Sequence, residues 1–319
     1  MKKLNLFGAT GNKRAAAALA FCLSFLSMGH LAFAQGEQQF PDSKSAINAL
    51  VTATKARDTN AMRKIFGPTG HELASADLVQ ASEEFTKFQQ RISEKVEPYQ
   101  QSNERIILKL GNDGWPFPIP LVNRGGHWEF DTEAGQSEIL NRRIGMNELG
   151  AIHVCQAYAS AQREYASEDR NGDEVLEFAT HLRSSPGTHD GLYWPVEPGE
   201  DLSPLGPLVA EAHQEGYRRE NKILTEPQHP YHGYYFKILT RQGKHAAGGK
   251  YNYIINGHMI GGFALVAWPA EWGNSGVMTF IINQQGKVFQ KNLGPKTERE
   301  AAGMTTYDPD ASWTPVRDD

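Results

Sequence analysis

The sequence predicts an α+β fold, in which a small N-terminal α+β unit is followed by a long helix packed on an antiparallel sheet. Apolar residues recur at spacings of three and four over 138–167, with no proline among them, which indicates a helix. The last third of the chain alternates β-rich runs with turn residues, a pattern typical of antiparallel strands. Helical and strand patterns are mixed over 35–137, so we expect a separate small unit there.

Residues 1–34 have the composition of a cleaved export signal. Basic residues at 2, 3, 13 and 14 precede an apolar run over 15–28. That run is shorter than the roughly 20 apolar residues that span a bilayer. Ala32-Phe33-Ala34 then supplies the A-x-A pattern of a signal-peptidase site. We expect cleavage after Ala34, a mature chain that begins at Gln35, and a periplasmic or secreted location.

Charge and hydropathy exclude two classes of partner. The chain has 32 Lys+Arg and 37 Asp+Glu, and the signal holds four of the bases and none of the acids, so the mature chain has 28 bases, 37 acids and a net charge of −9. Nucleic acids and anionic lipid surfaces need a concentrated basic footprint. No apolar stretch after the signal reaches bilayer length. We expect no nucleic-acid partner and no transmembrane anchor after cleavage, and an envelope protein or a glycan as the partner.

The N-terminal unit over 35–137 is predicted to contain helices and short strands. Its predicted elements are an amphipathic helix capped by Asp42 or Ser43, a helix pair over 73–97, a strand over 105–110 and an extended segment at the alternate prolines of 116–120. Prolines at that density cannot donate to a strand ladder, so the last segment is expected at an edge.

The C-terminal part, 138–295, is predicted to contain the long helix, a proline-rich crossing and the sheet. Gly145 and Gly150 weaken the middle of the helix. Residues 296–319 are polar and are expected to form a tail that Tyr307 and Trp313 hold to the fold. The predicted strands are 234–239, 259–268, 277–282 and 287–291, with a tight turn at Asn283-Gln284-Gln285-Gly286 between the last two. In the second strand Gly261 and Gly262 indicate a bulge or a late strand start.

Several short segments share the pattern of one bacterial family. They are Asn141-Arg142-Arg143-Ile144-Gly145, Asn147-Glu148-Leu149, Gln162-Arg163-Glu164-Tyr165, Gly191-Leu192-Tyr193-Trp194-Pro195, Pro230-Tyr231-His232-Gly233-Tyr234-Tyr235-Phe236, Trp268-Pro269-Ala270-Glu271 and Gly276-Val277-Met278-Thr279-Phe280. In these segments the chain resembles the exported proteins known as domain of unknown function 2950. The resemblance covers nearly all of the mature chain, and it implies no particular activity because that family has none established.

A second resemblance concerns architecture. The long helix, the acidic turn, the crossing and the closing strands over 138–294 are similar to the globular heads of type IV pilins and pseudopilins. Pilins polymerise through an exposed apolar N-terminal half-helix, which this chain lacks at the matching place. We expect a pilin-like head that does not form filaments.

The acidic turn after the long helix is the best candidate for a metal site. Asp169, Asn171 and Asp173 place side-chain oxygens at alternate positions, as the start of a calcium loop does. The sixth position is Glu174 instead of glycine and the twelfth is Thr180 instead of glutamate, so the set is incomplete unless Glu177 or a distant carboxylate contributes. The alternative is a turn in which Asn and Asp bond their own backbone. The main expectation is no metal and no cofactor, with calcium as the alternative.

Four aromatic residues are the candidates for ligand binding. Tyr193, Trp194, Tyr231 and Trp272 lie beside prolines or in turn-rich segments, and on one open face they would stack on sugar rings or on an extended chain. The alternative is that they fill the cores and hold the proline-rich crossing.

The sequence contains no complete catalytic motif. The main expectation is therefore no catalytic residue and a non-enzymatic envelope scaffold or binding protein. The alternative is an envelope hydrolase or glycan-binding enzyme with Glu271 and Asp190 as an acid pair. Cys155, the one cysteine after the signal, is expected to be a small apolar residue on the long helix. Histidines at 229, 232, 245 and 258 are expected at the surface or packed on aromatic rings.

Overall fold

The computed structural model describes residues 36–73, 75, 77–196, 199, 202–214, 217 and 230–317. The predicted export signal and His229 lie outside the described residues. The described residues belong to one compact unit, which spans 35–319. The fold is α+β, as the sequence predicts.

The N-terminal part combines three helices with a five-stranded antiparallel sheet. The helices are α1 (Ser43–Ala56), α2 (Thr59–Phe66) and α3 (Leu78–Glu94), with a 3-10 turn at Pro68–Leu73. The strands are β1 (Val96–Ser102), β2 (Arg105–Leu110), β3 (Trp115–Pro116), β4 (Leu121–Arg124) and β5 (His127–Phe130). The strand order is β1-β2-β4-β5, and β3 pairs with β2.

Local sequence signals place these elements. Each helix begins after an aspartate, Asp42, Asp58 or Asp77, whose carboxylate accepts backbone N–H groups of the first turn. β2 has the predicted bounds, and its alternate residues Leu108 and Leu110 are fully buried. These side chains join the helices in an N-terminal hydrophobic core that also contains Leu50, Ile65, Phe117 and Phe130.

The C-terminal part contains the long helix and the larger sheet. In the described residues its elements are α4 (Thr132–Tyr165), β6 (His181–Arg183), β7 (Gly191–Tyr193), α5 (Gly206–Gln214), β8 (Tyr234–Leu239), β9 (Arg241–Gln242), β10 (Tyr251–Asn252), β11 (Ile254–Ile255), β12 (His258–Met259), β13 (Ala264–Pro269), β14 (Thr279–Asn283), β15 (Phe289–Lys291), a 3-10 turn at Gly294–Lys296, α6 (Thr297–Ala302), β16 (Thr306–Tyr307) and β17 (Thr314–Pro315).

The larger sheet is antiparallel and has the order β17-β15-β14-β13-β8. Every residue of β13 and β14 is buried, so both faces of the sheet are covered at its centre. Helix α4 packs on both strands, and α6 contacts β13. The C-terminal part also contains three smaller ladders, which are β10-β9-β16, β11-β12 and the parallel pair β6-β7.

Helix α4 belongs to both cores. Near its start Ile139 packs against the N-terminal core. Further along, Cys155 and Tyr158 are buried in the C-terminal core, and the Tyr158 hydroxyl donates to the Ala264 carbonyl of β13 at 3.2 Å. One continuous helix therefore connects the N-terminal sheet to the C-terminal sheet.

The structure differs from the sequence prediction in the lengths of several elements. Helix α4 begins at Thr132 instead of 138, because Asp131 caps it, and it runs through Gly145 and Gly150 without a break. Gly262, with φ of +142°, lies between β12 and β13, so the run over 259–268 is two strands, and the longer one starts late, at Ala264, which is one of the two possibilities that Gly261 and Gly262 indicated. Glycine tolerates this backbone conformation and other residues do not.

Two further regions carry structure that the sequence prediction did not include. Over 73–97 the structure has the end of a 3-10 turn and one helix, α3, instead of a helix pair. The segment expected as a tail contains α6, β16 and β17, and Tyr307 is buried as its predicted anchoring role requires. None of the helices in the described residues has the length and apolar character needed to cross a bilayer.

Candidate functional site

The acidic turn after α4 uses Asp169 to hold its own backbone. One carboxylate oxygen of Asp169 accepts the N–H of Gly172 at 2.7 Å, and the other accepts that of Glu174 at 2.8 Å. These backbone hydrogen bonds lower the pKa of Asp169. Asp169 therefore hydrogen-bonds the backbone of its own turn, which is the arrangement predicted as the alternative to a calcium loop.

The structure brings Asp173 to a different set of residues. Oδ2 of Asp173 lies 3.5 Å from Nδ1 of His258, and Oε2 of Glu177 lies 3.3 Å from the same nitrogen. The Asn171 amide donates to Asp173 at 2.8 Å and to Glu177 at 3.0 Å. We call Asp173, Glu177 and His258 the acid–histidine cluster. The sequence identifies Asp173 and Asn171 as candidate ligands, but it does not predict that His258 lies beside them.

Buried hydrogen bonds fix the segment that carries the cluster. The Gln162 side chain, fully buried on α4, donates to the carbonyl of Ala179 at 2.8 Å and accepts its N–H at 2.9 Å. Next to it, the Phe178 N–H donates to the Met259 carbonyl at 2.8 Å. The end of the turn at Phe178 and Ala179 is thus held both by α4 and by the β11-β12 hairpin.

The β11-β12 hairpin turns at Asn256-Gly257, and both residues have positive φ. Asn-Gly is the preferred sequence for such a two-residue turn. In the ladder Ile255 pairs with His258, and residues paired directly across two strands share a face. Ile260 follows β12 directly, and its N–H donates to the His258 carbonyl at 3.0 Å. Ile255 and Ile260 are 44% and 45% exposed. We call Ile255, His258 and Ile260 the hairpin face.

Two of the four aromatic residues predicted to bind a ligand are engaged by the protein itself. Tyr231 is only 2% exposed, and its ring packs edge-on against Tyr217 in the C-terminal core. It is therefore not on an open face. The Trp194 ring stacks on His189 with centroids 4.3 Å apart, and the Arg170 guanidinium lies 5.6 Å from its centre.

The other two predicted aromatic residues lie nearer the surface. Tyr193 is partly buried, with the Arg183 guanidinium 5.7 Å from its ring centre. Trp272 is exposed, and its indole N–H donates to Asn292 at 3.0 Å. In the described part of the chain no ring contact joins any two of the four predicted aromatic residues.

A group of buried polar side chains lies where α3, α4 and the turn after β13 meet. The Gln80 amide donates to Asn147 Oδ1 at 2.6 Å, and the Asn147 amide donates to the Ser275 carbonyl at 2.9 Å. All three residues are buried. Asn147 thus joins the N-terminal part to the turn after β13 through its side chain. We call these residues, with Asp77, Glu84, Arg143, Tyr217, Glu271 and Asn274, the polar junction.

Asp77 extends the polar junction toward the segment before β8. Its Oδ1 caps α3, and its Oδ2 accepts the Tyr217 hydroxyl at 2.8 Å and the Gly233 N–H at 3.4 Å. A carboxylate buried this deeply requires several donors, which these groups supply.

The charged end of the polar junction is built around Arg143. This side chain is 2% exposed and donates to Asn274 Oδ1 at 2.7 Å. Glu84 lies 3.8 Å from the guanidinium. Burial lowers the pKa of Arg143, while Glu84 and Glu271 favour its charged form. Burial raises the pKa of Glu84 above its ordinary value, with Arg143 acting in the opposite direction.

Each acid of the predicted pair, Asp190 and Glu271, is held by hydrogen bonds of its own. Asp190 accepts hydrogen bonds from the Ser185 backbone, the Ser185 hydroxyl and the Thr188 hydroxyl within its own loop. Although burial acts in the opposite direction, these bonds lower the pKa of Asp190. Glu271 instead accepts from Asn274 at 2.7 Å, beside Arg143. No hydrogen bond or ion pair joins Asp190 to Glu271 in the described residues.

Cys155, His232 and His245 do not belong to the acid–histidine cluster. Cys155 is fully buried, and burial raises the pKa of its thiol to about 12, so it remains a neutral, apolar side chain. His232 packs against the Tyr231 ring, and His245 pairs with Asp308 at 3.1 Å.

One family model matches nearly all of the described chain. A family model described as "Protein of unknown function (DUF2950)" matches residues 37–316. The chain belongs to this family. This confirms the family resemblance seen in the sequence. No curated protein and no solved structure matches the chain, so the likeness to pilin heads stays a prediction.

Four of the seven segments that carry the family resemblance contribute residues to the polar junction or contact it. Arg143 and Asn147 come from the first two segments, Gly233 from the segment before β8, and Glu271 from the end of β13. The sequence alone shows no chemical relation among these residues, because they are distant in the chain. In the hairpin face the missed signal was local: Asn256-Gly257 between isoleucines is a strong hairpin indicator.

Proposed function

We propose that this protein is exported and acts in the bacterial envelope as a non-enzymatic binding scaffold whose partner is another polypeptide. The observation that carries the proposal is the hairpin face, where Ile255 and Ile260 flank His258 and nearly half of each isoleucine is exposed. Branched aliphatic side chains on a folded surface gain free energy when a partner removes them from water.

The placement of the aromatic residues supports a polypeptide over a glycan. Sugar rings bind by stacking on open aromatic faces, whereas Tyr231 is buried and Trp194 stacks on His189 beside Arg170. Among the four predicted aromatic residues this leaves Trp272 as the exposed one, and no ring contact within the described chain joins it to another of the four. The exposed side chains of the hairpin face are aliphatic, which suits contact with apolar side chains of a protein.

The polar junction supports a scaffold over an enzyme. Asp77, Asn147 and Arg143 hydrogen-bond to other groups of the protein, and each bond connects elements that are far apart in the chain. Polar networks of this kind stabilise one arrangement of the surrounding elements. The junction thus fixes α3, α4 and the turn after β13 relative to one another.

The test is affinity capture from envelope extract with paired variants. The double variant I255T/I260T keeps the β propensity of the hairpin but removes most of its exposed apolar area. The control M146Q/L149Q removes two exposed apolar side chains from α4. We expect the wild type and the control to retain the same polypeptide and the hairpin variant to lose it. Equal retention by all three proteins would contradict the proposal.

A second candidate function is an envelope hydrolase with an acid pair near Glu271. The observation that favours it is the raised pKa of Glu84, which is caused by burial. Glu84 and Glu271 both interact electrostatically with Arg143. A carboxylic acid with a raised pKa can act as a general acid, and an ionised partner can act as base or nucleophile. Trp272, next to Glu271 and exposed, would supply a stacking surface for a sugar.

This second function predicts release of reducing ends when the purified protein is incubated with envelope polysaccharide. Glu84→Gln and Glu271→Gln should each abolish the release, while Glu133→Gln, which changes an exposed glutamate in the first turn of α4, should not. If the wild type releases no reducing ends, this candidate is wrong.

A further inference from the structure

The acid–histidine cluster has the donor set and the spacing of a metal site. We propose that Asp173, Glu177 and His258 bind one divalent transition-metal ion, with zinc as the representative ion. Their ligand atoms all lie within 4.8 Å of one another. The two shorter separations, from His258 Nδ1 to Asp173 Oδ2 and to Glu177 Oε2, are 3.5 and 3.3 Å.

These separations fit the edges of a tetrahedron around zinc. With metal–ligand bonds of about 2.1 Å, two ligands of a tetrahedral zinc ion lie about 3.4 Å apart. The imidazole nitrogen is therefore already at the correct distance from each carboxylate. Only the separation between the two carboxylates has to adjust when the ion enters, and the positive ion removes their mutual repulsion.

The histidine selects the class of ion. Calcium and magnesium take oxygen ligands, whereas imidazole nitrogen suits zinc, copper, nickel and iron. One imidazole and two carboxylates supply three ligands, and the partial exposure of all three residues leaves the fourth position to water. The site thus differs in both residues and ion from the calcium loop that the sequence suggested around Asp169.

Neighbouring groups hold the ligands in place, as is usual around bound metals. The Asn171 amide lies between the carboxylates and donates to each of them. Backbone N–H groups complete the arrangement: that of Val175 donates to Asp173 Oδ1 at 2.9 Å, and that of Met259 donates to Glu177 Oε2 at 3.2 Å. The carboxylates are therefore oriented toward His258 before any ion binds.

Binding at this site would connect two elements that are remote in the chain. Asp173 and Glu177 belong to the turn after α4, and His258 belongs to the β11-β12 hairpin. A shared ion would fix the hairpin, and with it Ile255 and Ile260, against the end of the long helix. The metal site does not depend on the proposed binding function, because it rests on the ligand geometry alone.

The test is calorimetric titration of the metal-free protein with zinc chloride, and with cobalt chloride as a spectroscopic probe. We expect one ion per chain and, for cobalt, the visible absorption of a tetrahedral site. His258→Ala should weaken zinc binding by more than about tenfold, and Glu177→Gln should weaken it as well. The matched control is His245→Ala, because His245 is also partly exposed and paired with a carboxylate, Asp308; it should bind zinc as the wild type does.

Three results would overturn the proposal: no zinc binding by the wild type, equal losses in the His258→Ala and His245→Ala variants, or calcium binding as tight as zinc binding and unaffected by His258→Ala. Far-UV circular dichroism of the metal-free variants separates loss of a ligand from loss of folding, and Glu177→Gln gives a second, nearly isosteric change at the same site. Binding of a polypeptide by the hairpin face can fail in the capture assay while zinc still binds, so the two proposals are distinguishable.

Discussion

Asn147→Ala is the sharpest test of how the two parts of the fold are joined. Asn147 accepts a hydrogen bond from Gln80 of α3 at 2.6 Å and donates one to the Ser275 carbonyl at 2.9 Å. Alanine makes neither bond, so it leaves a buried amide and a buried carbonyl without these partners. Each such group costs about 1–3 kcal/mol, so we expect the free energy of unfolding to fall by about 2–5 kcal/mol. That is a large fraction of the stability of a typical domain.

The assay is urea denaturation followed by tryptophan fluorescence and far-UV circular dichroism. The matched control is Asn141→Ala, which makes the same change at an exposed position of the same helix. The control should gain a few tenths of a kcal/mol, because alanine is the better helix former. If Asn147→Ala unfolds within about 0.5 kcal/mol of the control, the junction does not stabilise the fold through these bonds.

Two further predictions concern packing and titration. Gly276→Ala should destabilise the fold by about 1–3 kcal/mol, because the new Cβ would overlap the Tyr234 hydroxyl. Gly145→Ala should stabilise the fold, because its Cβ meets open space on α4. Urea midpoints that do not differ in this order would contradict the packing. The pKa of the Cys155 thiol is raised to about 12 in the fold but is about 8.5 in an unfolded chain, so the unfolded state alone loses the proton as the pH rises above about 8.5. Stability should therefore decline with pH from about 8 to about 9.5 in the wild type and less steeply in Cys155→Ala; identical slopes would refute this.

The sequence predicts the elements whose signals are local. The first helix is capped by Asp42, one of the two predicted candidates, and the strands over 105–110 and 234–239 have the predicted bounds, because capping and alternation are properties of a few adjacent residues. The predicted start of α4 is too late, since its first turn follows the Asp131 cap and its residues are mostly polar. Helix α6 escapes prediction for a similar reason: its sequence is polar, and its packing on β13 supports it.

The candidate sites are less predictable, because they depend on contacts between distant residues. The side chain of Asp173 can be recognised as a ligand, but its meeting with His258 depends on how the hairpin folds back onto the turn. Likewise, Glu271 and Glu84 can be recognised as acids, but both interact with Arg143, which belongs to a different element from either. Contacts of this kind between distant residues cannot be predicted from the periodicity or the short motifs of a single sequence.

Photo-crosslinking in living cells tests the proposed binding function most directly. A photoreactive amino acid is placed at Ile255 on the hairpin face and, as a control, at Tyr99, an exposed residue of β1 in the N-terminal sheet. We expect irradiation to attach one envelope polypeptide to the protein labelled at 255 and none to the protein labelled at 99. No adduct at 255, or the same adducts at both positions, would contradict binding through the hairpin face.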